Sequence, residues 1–328
     1  LNTYGDLFRL TTFGESHGKA MGFILDGLPS GVTYDEAVLL DLLARRRPGG
    51  AYVSGRKEQD SPELLSGFYE GKSLGTPVAC IFKNTNQKSE DYKDLKPRRG
   101  HADLAWKSKY GHSDPRGGGR SSGRETLSRV GAAAFAKMFF TQNYPELKVL
   151  VSTHSIGPIK DGDSKGSTKL LELGFLNTDS NEEAKALLKK AKAEGESYGG
   201  TISVQIVNPI KNLGEPVFKK TKSKLAEAVL SIGAVKSFSL GTDVDLSTCK
   251  GTEFHSMNEE VYGGLSGGIT NGQKISFYAD VKPTSSILDV AKKGRHDPCI
   301  VPRALAVVEA MVYLVLMDLY LSNKVYKN

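Results

Sequence analysis

ALAVVEAMVYLVLMDLYL, residues 304–321, is the stretch whose reading decides what kind of protein this chain is. Its length suits a bilayer crossing, which takes about 20 apolar residues. Glu309 and Asp318 interrupt it, however. An acidic side chain at mid-membrane costs roughly 2.5 to 3.5 kcal/mol. The segment is therefore expected to be a helix buried in a large core or a subunit interface, and no membrane partner is expected.

A core of that size fits a chain of 328 residues, long enough for two average domains or one large one. No composition shift, proline-rich linker or repeat period marks a boundary, so residues 1–328 read as one large mixed α/β (α+β) domain. The 36 glycines exceed the usual share of about 7% and imply many tight turns and close backbone approaches. A net charge of +7 and a pI near 9.0 predict a surface or cleft that attracts anions. Cys80, Cys249 and Cys299 form no C-x-x-C pair and are odd in number. Together with an opening segment that lacks a basic-then-apolar signal pattern, they predict a reducing, cytoplasmic setting.

Alternating apolar residues predict a strand pair over residues 7–27 and strands near 76–84, 147–156, 201–208 and 274–283. Thr33-Tyr34-Asp35-Glu36 has the spacing of a capping box, opening a helix that stops at Pro48. Further helices are predicted over 125–140, 181–194 and 222–235. Residues 49–60 read as a loop, and residues 84–122, rich in Lys, Arg, Gly, His and Asp, form the longest stretch without clear periodicity. A loop of that length inside a compact domain is usually functional or disordered.

The chemistry is harder to read. Gly14-Glu15-Ser16-His17-Gly18 fits the pattern of a nucleophile elbow, but the same pattern recurs around Ser73, Ser121, Ser164, Ser197 and Ser266. Recurrence on that scale in a glycine-rich chain says nothing about a hydrolase. Gly71-Lys72-Ser73 resembles the end of a P-loop, yet Ser66 stands where that loop needs glycine. None of the six histidines sits at zinc-ligand spacing, so no metal site is expected. Four basic segments flank glycine-rich turns: Arg45-Arg46-Arg47, Arg98-Arg99-Gly100-His101, the run from Arg116 to Ser122, and Lys293-Gly294-Arg295-His296-Asp297. Glycine lets backbone amides approach phosphate oxygens, and arginine supplies planar paired donors. Only Trp106 and Tyr110 accompany the central basic segment, too few stacking groups for a nucleic-acid partner. These residues point to an enzyme acting on a small polyanion, with His17 or His101 able to supply a proton near neutral pH.

Taken together, the blocks FGESHG, RRRPGG, NTNQKSEDY, RRGHAD, YGHSDPRGGGRSSGRET, GAVKSF, GGLSGGITNG, KPTSS and GRHDPC resemble the chorismate synthase family, in the family's order and over nearly the whole chain. The resemblance implies conversion of 5-enolpyruvylshikimate 3-phosphate to chorismate and phosphate by a 1,4-anti elimination. It implies reduced flavin mononucleotide (FMN) as cofactor with no net redox change, and NADPH as a candidate reductant. It also implies a β-α-β sandwich with helices between antiparallel sheets, not a Rossmann fold, assembled as a homotetramer. By motif, His17 would protonate the departing phosphate, His101 would sit near flavin N1, and Asp297 would help remove the ring proton through flavin N5. Arg46, Arg47, Arg98, Arg124 and Arg295 would meet the substrate's phosphate and carboxylates, and Arg46 would also serve the NADPH contact. Flavin contacts would come from Arg120, Ser121, Ser122, Gly233, Ala234, Gly267, Lys282, Pro283, Thr284, Ser285 and Ser286, with Arg295 shared. Many members carry an arginine shortly after RRRPG, where this chain has Gly50-Ala51-Tyr52 and no arginine before Arg56.

Overall fold

The structure, a computed structural model, describes residues 1–47, 60–84, 100–114, 116–164, 167–241, 245–288 and 297–326. Strands β1 (Thr3–Tyr4), β2 (Arg9–Phe13), β3 (Ala20–Asp26), β4 (Pro62–Ser66) and β7 (Val78–Lys83) form an antiparallel sheet in the order β1-β2-β3-β7-β4. Strands β8 (Lys148–Ile156), β9 (Ile159–Lys160), β10 (Gly200–Val207), β11 (Val235–Leu240) and β14 (Ile275–Val281) form a second, in the order β11-β14-β10-β8-β9. Two short ribbons, β5 (Phe68–Tyr69) with β6 (Lys72–Ser73) and β12 (Leu265–Ser266) with β13 (Ile269–Thr270), complete the strands.

Each sheet buries one face, as the alternation along its strands requires. Met21, Phe23 and Leu25 of β3 point inward, as do Ile202, Val204 and Ile206 of β10, while Thr201, Ser203 and Gln205 alternate with the latter. The register sets Val204 opposite both Phe277 and Val151, so the inward positions of three strands form one apolar surface.

Helices fill the space between the sheets. Helix α1 (Glu36–Arg46) and helix α3 (Thr126–Asn143) pack on each other, with α3 also against β2 and β3. At Gly131 of α3 an added Cβ would lie 2.8 Å from the Phe82 ring and 3.0 Å from that of Phe23, so glycine allows this close helix-on-sheet approach. Helix α5 (Thr221–Leu230) packs on β11, whereas α4 (Thr178–Glu194) lies by β9. Helix α2 (Asp103–Tyr110) and the single turn α6 (Gly251–Phe254) are short. The decisive apolar stretch is the body of α7 (Val301–Tyr326), which touches α1, α3, α5, β8 and β10 and is buried over most of its length. Burial among protein elements on every side accounts for its composition.

The two acids in α7 are satisfied locally. Asp318 Oδ1 accepts from the backbone amides of Asp6, Leu7 and Phe8 at 3.0, 2.7 and 2.9 Å, tying the start of the chain to the central helix. Glu309 receives Arg45 Nη1 at 2.6 Å and Lys137 Nζ at 3.0 Å.

Three expectations need correction. The first helix is capped by Asp35, whose side chain accepts from the amides of Ala37 and Val38, and not by Thr33. Thr33 instead forms an isolated bridge with Lys72, which holds its backbone extended. Residues 84–122 are not aperiodic throughout: α2 and the 3-10 turn Arg116–Ser121 lie there, while residues 85–99 fall outside the described part. Finally, α5 ends at Leu230, so the helix predicted over 222–235 overruns it through the turn 231–234 to the first residue of β11, a strand that was not predicted.

Candidate active site

Several chain segments meet where the helices leave the sheets. They are the C-terminal end of α1, the approach to α2, the turns before α3, the turn after α5, the strand end after β14 and the approach to α7. Between them lies a cavity of about 590 Å³, within the range of about 300 to 1,000 Å³ usual for small-molecule sites.

Each wall has its own reason for its shape. Before α3, Arg120 runs back along β2: its Nη2 donates to Thr12 Oγ1 at 2.6 Å and its Nη1 to the Gly14 carbonyl at 3.2 Å. Ser121 Oγ donates to the Gly118 carbonyl at 2.6 Å, and Ser122 caps the next turn by accepting from the Arg124 amide. After β14, Lys282 Nζ donates to Ser285 Oγ at 2.9 Å, and burial, with Lys236 nearby, pushes the Lys282 ammonium below its ordinary range. Thr284 Oγ1 donates to the Asp297 carbonyl at 3.2 Å, joining this strand end to the approach of α7. The Lys282 amide donates to the Ala234 carbonyl at 2.9 Å, which brings the Gly233-Ala234 turn alongside. Gly100 comes close to Ser285 Oγ, setting His101 beside the same strand end.

Arg46, His101, Arg120, Ser121, Ser122, Gly233, Ala234, Lys282, Thr284, Ser285, Ser286 and Asp297 all line this one cavity. Pro283 lies in the same strand end but is not part of the lining. His17 is buried and is not among the lining residues; its turn is held against Arg116–Ser121, where Ser16 donates its amide to the Gly119 carbonyl and its Oγ to that of Arg116, both at 3.4 Å. That burial also removes Ser16 as an exposed nucleophile. Arg47 and Arg124 stand behind Arg46, around Asp60. Gly267 is set apart. It lies in the turn between β12 and β13, whose neighbour Gly268 accepts from the Thr221 amide at the start of α5. Gly233 follows the other end of that helix, about 15 Å along its axis. Arg98 and Arg295 lie outside the described residues.

Several residues in and behind the wall were not foreseen. Arg303, one turn into α7, donates its Nη1 to Asp297 Oδ2 at 2.5 Å and its Nε to the Arg46 carbonyl at 3.3 Å. Glu125 accepts from Thr12 Oγ1 and from Arg129 Nε at 3.0 and 2.8 Å, so one carboxylate orients the base of the Arg120 wall. Asp60, 2% exposed at its side chain, pairs with Arg46 and Arg124. A buried guanidinium needs a carboxylate partner; that rule is the signal that could have prompted a search for Asp60.

The donor set suits a polyanionic, carbonyl-bearing ligand. Arg46, Arg120, Arg129, Arg303 and Lys282 supply positive charge, and Arg46 Nε is buried with no hydrogen-bond partner among the described residues. Among those residues no group of three His, Cys, Asp or Glu is arranged to hold a metal ion.

The sequence profile of the family described as chorismate synthase matches residues 8–321. The chain belongs to the chorismate synthase family. A chorismate synthase of Bdellovibrio bacteriovorus is 50% identical over 333 residues, covering 98% of this chain and 97% of that protein. One of Flavobacterium psychrophilum is 41% identical over 360 residues, covering 100% and 99%. A crystal structure titled as chorismate synthase superposes with a TM-score of 0.78 at 28% identity, covering 98% of this chain and 93% of that one. The β-α-β sandwich is thus a chorismate synthase fold. The chorismate synthase reaction converts 5-enolpyruvylshikimate 3-phosphate to chorismate and phosphate, a carbon-oxygen lyase step that closes the shared part of the shikimate pathway. Membership implies a reduced flavin cofactor and a small-molecule substrate.

Proposed function

We propose that the cavity holds reduced FMN beside the substrate and that the chain's own side chains divide the work of the elimination. The observation that carries this reading is convergence: twelve residues named from separate sequence blocks line one cavity. Arg120, Ser121, Ser122, the Gly233-Ala234 turn and the strand end Lys282–Ser286 offer hydroxyls, amides and cations suited to a flavin phosphate and ring carbonyls. Bound there, a reduced flavin supplies electron density to an allylic system whose C–H is only weakly acidic.

The protein binds, orients and moves protons. Arg46, with Arg47 and Arg124 behind it, meets the substrate's phosphate or carboxylates; Arg98 and Arg295 are proposed to share that work. His17 protonates the departing phosphate oxygen, His101 keeps the cofactor in its reactive protonation state, and Asp297, held by Arg303, takes up the ring proton. NADPH is the proposed reductant, with Arg46 as its contact. The working unit is the whole chain in a cytoplasmic homotetramer. The free thiols of Cys80, Cys249 and Cys299 agree with a reducing setting, and the outward Ile24 and Leu65 of the first sheet offer apolar contact to a neighbour.

The test is anaerobic phosphate release from 5-enolpyruvylshikimate 3-phosphate with and without reduced FMN, with NADPH and oxidised FMN in a parallel tube. Release only with reduced flavin supports the reading, and release without any flavin overturns it. In the same assay His17→Ala should lower turnover by a factor on the order of 10² to 10⁴ as the loss of a general acid, with FMN affinity unchanged. Undiminished turnover would remove His17 from the mechanism.

A further inference from the structure

Asp60 belongs to none of the sequence blocks that marked the site, yet three of the arginines assigned to the substrate gather on it. Its Oδ2 receives Arg46 Nη2 and its Oδ1 receives Arg124 Nη1, each at 2.9 Å, while Arg47 Nε lies 3.9 Å from Oδ2. With one oxygen given to each of two planar guanidinium groups, the carboxylate fixes their spacing and their tilt. The contacts continue beyond it. Arg124 Nε donates to Asn84 Oδ1 at 2.9 Å, and Asn84 Nδ2 donates to the carbonyls of Gly18 and Glu15 at 2.8 and 3.3 Å. Those two residues flank His17, so one unbroken run of hydrogen bonds leads from the cavity wall to the imidazole's turn.

The backbone at Asp60 adds a separate observation. Its φ is +41°, in the left-handed region that a non-glycine residue enters only at a cost. Such conformations persist where the surrounding structure needs a particular side chain in a particular place. Here the side chain so placed is the shared partner of three cations.

We propose that Asp60 is a positioning residue for the elimination: its carboxylate sets Arg46 and Arg124 at the spacing that receives the substrate's anionic groups and, through Asn84, fixes the His17 turn relative to them. The inference rests on the functional reading above and adds to it a residue that touches neither substrate nor cofactor.

Charge and position predict opposite results, which makes the idea testable. Asp60→Asn keeps the shape but removes a negative charge from a cationic site; charge alone would then tighten a trianionic substrate. Positioning predicts the reverse, because the amide NH2 now faces a guanidinium N–H and one of the two arginines must turn away. Displacements of about 1 Å from a reactive geometry cost on the order of 10²-fold. We therefore expect Asp60→Asn to weaken binding of 5-enolpyruvylshikimate 3-phosphate, by calorimetry on the flavin-free protein, on the order of tenfold, and to lower kcat/KM on the order of 10²-fold. FMN affinity should stay within about threefold, since among the described residues none of the flavin-facing ones pairs with Asp60. Asp60→Glu keeps the charge and moves the carboxylate by one methylene; with a melting temperature near that of the unaltered protein it should fall between the two in kcat/KM.

Unchanged or tighter substrate binding with full turnover in Asp60→Asn would overturn the proposal. So would wild-type kinetics in Asp60→Glu, which decides the matter even where Asp60→Asn fails to fold. Should the unaltered protein release no phosphate with reduced FMN, the functional reading fails instead, while the calorimetry on the flavin-free protein still judges Asp60.

Discussion

Helix α7 and the cavity wall both bury charged side chains, but they treat them differently. In α7, Asp318 is surrounded by backbone amides, and Glu309 faces Arg45 and Lys137, with Asp41 on the far side of Arg45 at 3.1 Å. Two cations meet two carboxylates there, and the network is neutral. At the wall, Arg46, Arg120, Arg129, Lys282 and Arg303 face the carboxylates of Glu125 and Asp297, with Asp60 behind, so cations outnumber carboxylates among the described residues. Burial pushes the Arg46 guanidinium down to about 10; Asp60 opposes that, and Arg303 and Arg124 reinforce it. It remains charged at neutral pH nonetheless. A neutral buried network closes on itself and serves the fold, whereas an excess of one sign costs stability until an anion arrives, and so marks a site.

The difference can be broken from either side. Removing Asp318 should give the largest effect. Asp318→Ala leaves three amides of Asp6, Leu7 and Phe8 without their acceptor. Hydrogen bonds to a charged group are worth about 1.5 to 3 kcal/mol each, so after relaxation a loss of about 3 to 5 kcal/mol is expected by urea unfolding, with kcat/KM of the folded protein unchanged. Loss of activity at full stability would place Asp318 with the wall charges instead. Arg46→Met should reverse the balance. Asp60 keeps Arg124 on its other oxygen, so the carboxylate is not left bare and the loss of stability should be smaller than for Asp318→Ala. The expected result is a smaller drop in melting temperature than for Asp318→Ala, with kcat/KM down on the order of 10²-fold. A fall of several degrees with activity intact would make Arg46 a structural ion pair like Arg45 with Glu309.

The sequence made one of these regions easier to read than the other, for a physical reason. The length and apolarity of residues 304–321, and the strict alternation in TISVQIVN, report burial directly, because each residue's surroundings repeat at the period of its own element. VKSFSL of β11 was invisible: only Val235 is fully buried on that edge strand, so it shows no clear alternation of buried and exposed positions. At the site, glycine- and arginine-rich turns were legible because phosphate binding needs those residue types close together. Asp60 was not, since its partners lie 14 and 64 residues away and its neighbours GRKEQD look like any solvated loop. Arg303 hid in the same way, as one charge at the head of an apolar helix. What escaped the sequence was the long-range pairing of opposite charges, for which no local period exists.

The smallest expected effect follows from that pairing and concerns pH. Burial raises the Asp60 carboxyl, but Arg46 and Arg124 outweigh it and hold the group below its ordinary value. A carboxyl depressed on folding stabilises the native state above its unfolded pKa, near 3.9 for an aspartate, and that contribution fades as pH falls toward the native value. The stability gap between the unaltered protein and Asp60→Asn should hold steady from pH 7 to about 4 and narrow below it, by urea unfolding at each pH. Protonation of Asp60 also removes a counter-charge that three arginines share, so inorganic phosphate should recover part of the lost stability in the unaltered protein by binding the native state. A gap that stays constant down to about pH 3 would mean that Asp60 is not the ionised partner of these arginines, and the contrast between the neutral helix and the cationic wall would lose its basis.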